Sequence, residues 1–278
     1  MKVGAYLLNE GRGEQLDRKP RSKEISEEEA LNLLKTKCSK AYRNRLIEKT
    51  WIFRGVESSD EPFYMVDPTK GKSRRSINIP NYYTLMIDNF KSWSKFPERG
   101  HSIMCTTKIE KAESFGYGNT FRVFPYDSAK IGVVPASDIW FNTAFPYIDK
   151  MTKIPRIAKF IKEFKYHKIS DDIWVQFKSD LQRIEDKIRS EKPSEDRVTA
   201  TDSVFNYYIR KKLYKTKSLF DVIEDLMDPK KNGFKLAKPG DGLPRDSEVW
   251  VGNAPSVLIN KVEFDRIMVN DYLKTKET

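Results

Sequence analysis

Three short stretches of this chain carry residue types able to act on an anionic or sugar-containing ligand. Trp51-Ile52-Phe53-Arg54-Gly55 has strand character and ends in Arg-Gly. An arginine there can bury its stem and hold its guanidinium at the sheet edge, where it forks two hydrogen bonds to a phosphate or joins a structural salt bridge. Cys105-Thr106-Thr107 stands where a strand from His101 runs into a helix. Thr107 followed by Glu110 has the spacing of a capping box, and helix amides at such a corner suit anions. Asp246-Ser247-Glu248-Val249-Trp250-Val251 reads as a strand whose alternation places Asp246 and Glu248 on one face. A carboxylate opening a buried strand is costly unless it is paired or used.

The elements that must position these residues follow from periodicity. Residues 1–24 read as an irregular lead-in. A capping box at Ser26 and Glu29 opens a long amphipathic helix through Ala30, Leu31, Leu34, Cys38, Ala41, Tyr42 and Leu46 to about Lys49. Glu57 to Asn81 reads as a loop. Gly71-Lys72-Ser73 within it resembles the end of a phosphate loop, but Val66 stands where the pattern requires glycine. Tyr82 to Phe96 reads as an aromatic helix, with Tyr83, Met86, Ile87, Phe90 and Trp93 in one stripe. The helix after the corner buries Ile109, Ala112 and Phe115, and Gly116 takes the left-handed cap position. Gly116-Tyr117-Gly118 is followed by a strand and so is no dinucleotide fingerprint. Strands follow at Thr120 to Pro125 and Ile131 to Val134, with a turn between them. Ser256 to Ile259 is a further strand, joined to the Glu248 strand as a hairpin through Gly252-Asn253-Ala254-Pro255.

From Asn142 to Pro239 lysine and arginine dominate, and two or three helices are expected. Phe205, Tyr208 and Ile209 form a stripe beside Arg210, Lys211 and Lys212, and a helix from Ser218 stops at Pro229. The expected organisation is a core from 25–141 and 240–278, interrupted by a basic helical insertion or lid at 142–239.

Composition narrows the partners. The net charge of +11 favours a polyanionic partner such as nucleic acid, a nucleotide or an acidic protein. No apolar run approaches the roughly 18 residues of a membrane span, and the N-terminal stretch is too polar for a signal peptide, so a cytoplasmic protein is expected. Cys38 and Cys105 support neither a disulfide framework nor a zinc cluster.

In order and spacing, Ile52-Phe53-Arg54-Gly55, Cys105-Thr106-Thr107 with Ala112 and Phe115 following, and Asp246-Ser247-Glu248-Val249 resemble the ADP-ribosyltransferases of the arginine–serine–glutamate class. These are the relatives of clostridial C2/C3-type toxins and phage-encoded transferases. The resemblance covers most of residues 26 to 140 and 243 to 263. It implies an α+β fold with a split mixed or antiparallel β-sandwich core, an N-terminal helical part and the basic insertion outside it. It also implies NAD as substrate, no metal, and ADP-ribose transfer to a macromolecule. A protein acceptor comes first; nucleic acid is the alternative suggested by net charge. Glu248 would stabilise an oxocarbenium-like sugar and accept from its 2′-hydroxyl, oriented by Thr106. Arg54 would hold the NAD phosphate or adjacent ribose, with Gly55 leaving room. Cys105 and Thr107 would flank Thr106, and Phe115 or Tyr117 would stack on nicotinamide. Asp246 would position the incoming nucleophile. The sequence departs from the family pattern at Cys105, where serine is usual, and at Asp246, where Glu or Gln is usual.

Two rival readings remain. A cysteine nucleophile would need a base. His101 and Cys105, four apart on one strand, share a face but stand about 13 Å apart, and His167 is the only other histidine. The other rival is a catalytically silent nucleic-acid-binding protein on the same fold.

Overall fold

The computed structural model describes residues 22–57, 59, 61–70, 82–134, 136–137, 171–190 and 218–276. The chain divides into two compact units, Met1–Asn78 with Phe96–Asn142 and Phe234–Thr278, and Ile79–Lys95 with Thr143–Gly233. The expected lead-in up to Arg21, the Gly71-Lys72-Ser73 stretch, His167, and the expected Phe205, Tyr208 and Ile209 stripe lie outside the described residues.

The first unit is α+β. Its strands are β1 (Ser22–Glu24), β2 (Phe53–Gly55), β3 (Phe63–Val66), β4 (Ser102–Thr106), β5 (Thr120–Pro125), β6 (Lys130–Val133), β7 (Lys235–Ala237), β8 (Glu248–Gly252) and β9 (Ser256–Asn260). They run in the order β1-β3-β9-β5-β2-β4-β8-β6-β7, and each described pairing is antiparallel. β2 and β4 meet through one pair, Phe53 opposite Thr106. The sheet therefore has a seam at β2/β4, with five strands on one side and four on the other.

Alternation along the strands builds two cores. Ile52, Val56, Phe121, Val123 and Leu258 from one side of the seam join Ile103, Cys105, Ile131, Val133, Val249 and Val251 from the other in a single apolar cluster. The second cluster joins Phe63, Phe124, Val257 and Ile259 of the sheet to Ala30 and Leu34 of α1 (Glu27–Thr36) and to Phe264 and Ile267 of the C-terminal helix, Lys261–Lys276. β9 is thus buried on both faces, as its unbroken Val-Leu-Ile run requires.

Several elements differ from the sequence reading. The expected helix from Ser26 to Lys49 is broken at Lys37 and Cys38, and α2 (Ser39–Arg43) starts anew. The cause is Asp127, whose carboxylate accepts from the Ser39 hydroxyl at 2.6 Å and the Lys40 amide at 2.9 Å, a side-chain cap supplied from across the fold. At the start of α1 Ser26 accepts from the Glu29 amide, but the Glu29 carboxylate pairs with Lys23 instead of closing the box. β1 lies in the expected lead-in and β3 in the expected loop; they pair with each other, and β3 also pairs with β9. β8 and β9 are no hairpin: β8 pairs with β4 and β6, β9 with β3 and β5.

The second unit holds α3 (Tyr82–Asn89), α5 (Asp171–Ser190) and α6 (Leu219–Leu226), and α4 (Ile109–Gly116) belongs to the first. The aromatic helix ends at Asn89 and continues as a 3₁₀ turn, Lys91–Trp93. Phe90 packs edge-on against Trp174 and Phe220, and the Trp93 indole donates to the Met227 carbonyl at 2.9 Å. Ser218 and Asp221 close a capping box on α6, and the buried Glu185 carboxylate accepts from the Leu219 amide at 2.7 Å. The aromatic helix thus falls in the second unit. The stretch after Gly233 falls in the first, because β7 pairs with β6. Among the described residues no helix is long and apolar enough to cross a membrane.

Candidate functional site

The seam brings the three chemistry-bearing stretches onto neighbouring strands. Phe53 of β2 stands opposite Thr106 of β4, which stands opposite Glu248 of β8. Arg54 shares a strand face with Ile52 and Val56, both in the first apolar cluster, so its stem is buried and the residue is 9% exposed. Its Nη1 donates to the Met104 carbonyl. The guanidinium thereby supplies a donor to β4 where β2 no longer pairs with it.

Glu248 is the first residue of β8 and is 9% exposed. Its amide donates to the Ala136 carbonyl at 2.7 Å and its carbonyl accepts from the Val134 amide at 2.9 Å. Its Oε1 accepts from Trp250 Nε1 at 2.6 Å. Trp250, two residues on and so on the same face, is fully buried, with Phe234 at 5.7 Å between ring centroids and the Arg99 guanidinium 5.9 Å over its ring. The sequence reading did not include Trp250; the Glu-x-Trp alternation was the signal that could have found it.

The corner before α4 differs from expectation. The Thr106 hydroxyl accepts from the Lys108 amide at 3.1 Å, and the side-chain donor to the Glu248 carboxylate is the Trp250 indole. Thr107 forms no capping box. Its hydroxyl accepts from the Ser247 amide at 3.0 Å and donates to the Pro244 carbonyl at 2.8 Å, and its amide donates to the Ser247 carbonyl. The position before α4 is Lys108, without a side-chain cap. Thr107 instead ties β4 to the turn that leads into Glu248. Cys105, expected beside the ligand, points into the first apolar cluster because it alternates with Thr106. The serine-to-cysteine departure is therefore a core substitution. His101 lies in the 3₁₀ turn Arg99–His101 ahead of β4, so the same-strand pairing with Cys105 does not arise.

Gly55 has a different reason to be small. A Cβ on it would lie 1.9 Å from the Ala112 carbonyl oxygen and 2.6 Å from the Gly116 nitrogen. It is the backbone of α4 that it admits. Gly116 is the last helical residue, and the left-handed cap falls one place later, on Tyr117, with φ 49° and ψ 41°. Ala112 and Gly116 are the buried residues of α4, while Ile109 and Phe115 are half-buried. The Lys111 ammonium stands 5.7 Å over the Phe115 ring, and Tyr117 is 60% exposed.

Asp246 does not share a strand face with Glu248, since β8 begins at Glu248. It sits in the preceding turn with φ 56°, a left-handed conformation that aspartate tolerates, and its carboxylate pairs with Lys108 at 3.0 Å in an exposed position. The hydrogen bond and charge of Asp246 raise the Lys108 ammonium above its ordinary value. Among the described residues no cluster of His, Cys, Asp and Glu is placed to hold a metal ion. No family model, curated protein or solved structure matches the chain.

Proposed function

We propose that this chain is an NAD-dependent mono-ADP-ribosyltransferase that breaks the nicotinamide–ribose bond and passes ADP-ribose to a protein acceptor. The observation that carries this reading is the register Phe53–Thr106–Glu248 across the seam, which sets Arg54, the threonine corner and the buried carboxylate on three adjacent strands. These are the residues on which the sequence resemblance rests. Glu248 opposes the positive charge that develops on the ribose as nicotinamide leaves, an electrostatic role suited to a carboxylate already fixed by its surroundings. Arg54 binds a phosphate of NAD, a task for which a planar guanidinium is suited. Asp246, on the exposed turn before β8, meets the acceptor.

The net charge of +11 favours a second acceptor class, nucleic acid. Incubation of purified protein with labelled NAD and cell lysate, followed by separate protease and nuclease digestion, assigns the label to one class. The reading predicts that the wild type releases nicotinamide and that Glu248→Gln, which keeps the side-chain shape, abolishes release without lowering the thermal midpoint. Absence of release from wild type across protein and nucleic-acid acceptors, with salt-dependent nucleic-acid binding retained in Glu248→Gln, would establish the silent binding protein instead.

A further inference from the structure

Glu248 and Trp250 form a unit that the resemblance does not supply. We propose that Trp250 is the positioning residue for Glu248, its indole N–H setting the orientation of the carboxylate in place of a hydroxyl from β4. The inference rests on the transferase reading of Glu248.

The geometry has three parts. Nε1 lies 2.6 Å from Oε1, a short charge-assisted hydrogen bond. The donor is rigid: Trp250 is fully buried, its backbone stands between Met104 of β4 and Gly132 of β6, and its ring packs against Phe234 beneath the Arg99 guanidinium. Thr106 Oγ1 is placed against the Lys108 amide, from which it accepts, and the side-chain donor set against Glu248 Oε1 is the indole. An indole has one donor and no acceptor, so unlike a hydroxyl it cannot rotate to offer a lone pair. A carboxylate held by such a donor keeps one oxygen fixed and presents its charge in one direction, which is the preorganisation that stabilises developing positive charge.

Charged groups on the described elements around the pair include Arg99 in the turn before β4, Arg54 on β2, Lys130 at the start of β6, and the Lys108–Asp246 pair beside the β8 turn. Replacing the indole by a phenyl ring removes the N–H donor and leaves a smaller aromatic face beneath the Arg99 guanidinium. Trp250→Phe is expected to lower kcat for nicotinamide release by roughly ten- to hundredfold, with KM for NAD changed less than about threefold.

An independent arm uses the full chain labelled with ¹⁵N at tryptophan. The Trp250 indole resonance is assigned by its loss in Trp250→Phe, or by elimination through the other four tryptophans if that variant does not fold. Glu248→Gln should move it upfield while the other four hold still. An unmoved resonance, or a Trp250→Phe enzyme with wild-type kcat, overturns the positioning role. A shifted resonance in a protein that releases no nicotinamide would overturn the transferase reading and, with it, the catalytic meaning of the pair, while leaving the hydrogen bond itself established.

Discussion

Replacing Gly55 by alanine separates two explanations for the glycine after Arg54. A Cβ at this position would stand 1.9 Å from the Ala112 oxygen and 2.6 Å from the Gly116 nitrogen, both backbone atoms of α4. No rotamer change relieves a backbone clash, so α4 must retreat from β2 by about 1 Å, at the cost typical of overpacking, about 1–3 kcal/mol. For a protein of this size each kcal/mol lowers the thermal midpoint by about 2–4 °C, so Gly55→Ala should melt roughly 2–12 °C below wild type. Gly116→Ala should do likewise, since its Cβ would lie 2.7 Å from the Val56 nitrogen and 2.9 Å from the Gly55 Cα. The two clashes share one interface. Once α4 has moved for the first, the second costs less, and the double variant should lose less than the sum of the singles. Differential scanning fluorimetry with NAD titrations checks all three. A Gly55→Ala protein with an unchanged melting midpoint and a raised KM for NAD would refute the packing argument and return the glycine to the ligand.

Thr107→Val removes both hydroxyl hydrogen bonds from Thr107 to the 244–247 turn, keeps the one from its amide to the Ser247 carbonyl, and strands the amide of the buried Ser247. The expected loss is roughly 2–4 kcal/mol, with faster hydrogen exchange at Ser247 and a lower kcat. Asp246→Asn breaks an exposed pair with Lys108. It should leave the melting midpoint in place and reduce transfer to the acceptor more than nicotinamide release, as measured by labelled product against free nicotinamide. Burial pushes the Cys38 thiol from 9.0 up to about 12. The folded state keeps this proton after the unfolded chain has lost it, so stability falls as pH rises from about 9 toward about 12, by up to roughly 4 kcal/mol. Urea unfolding should show this slope in wild type and a shallower one in Cys38→Ala, and native protein should resist thiol reagents at pH 8.

What the sequence showed was local. β5, β6 and α6 could be read because each carries its own pattern, an apolar run or a complete capping box. β1 and β3 could not, being three and four residues long and held by pairing with each other and with β9. The break in the first helix depends on Asp127, 88 positions beyond Ser39, and nothing local announces it. Thr107 and Glu110 show the opposite failure. The local motif was present, but the Ser247 amide and Pro244 carbonyl made better partners for the hydroxyl. Within the candidate site, residue order identified the three strands. Facing was the weaker part: Cys105 is grouped with Thr106 at the ligand although alternation turns it into the core, and alternation is extended to Asp246 beyond the true start of β8.

The seam explains why the candidate site lies where it does and limits what mutagenesis of it can mean. A sheet interrupted between two central strands leaves backbone groups without ladder partners, and each must find a donor or acceptor. Arg54 gives one such donor to the Met104 carbonyl, so the guanidinium has structural work at β2/β4 before any phosphate arrives. The chain also crosses this line from β4 to β5 through α4, back from β5 to β6, and again from β8 to β9, while both sides share one apolar cluster. The sides cannot act as independent lobes. Removing the Arg54 guanidinium should therefore lower the melting midpoint together with activity, and loss of activity in such a variant would not by itself identify an NAD ligand. Glu248 is different. Glu248→Gln keeps the Oε1 acceptor for Trp250 and the backbone bonds to Val134 and Ala136, and replaces the charged second oxygen by an amide NH2. The catalytic reading of the seam therefore stands or falls on that carboxylate.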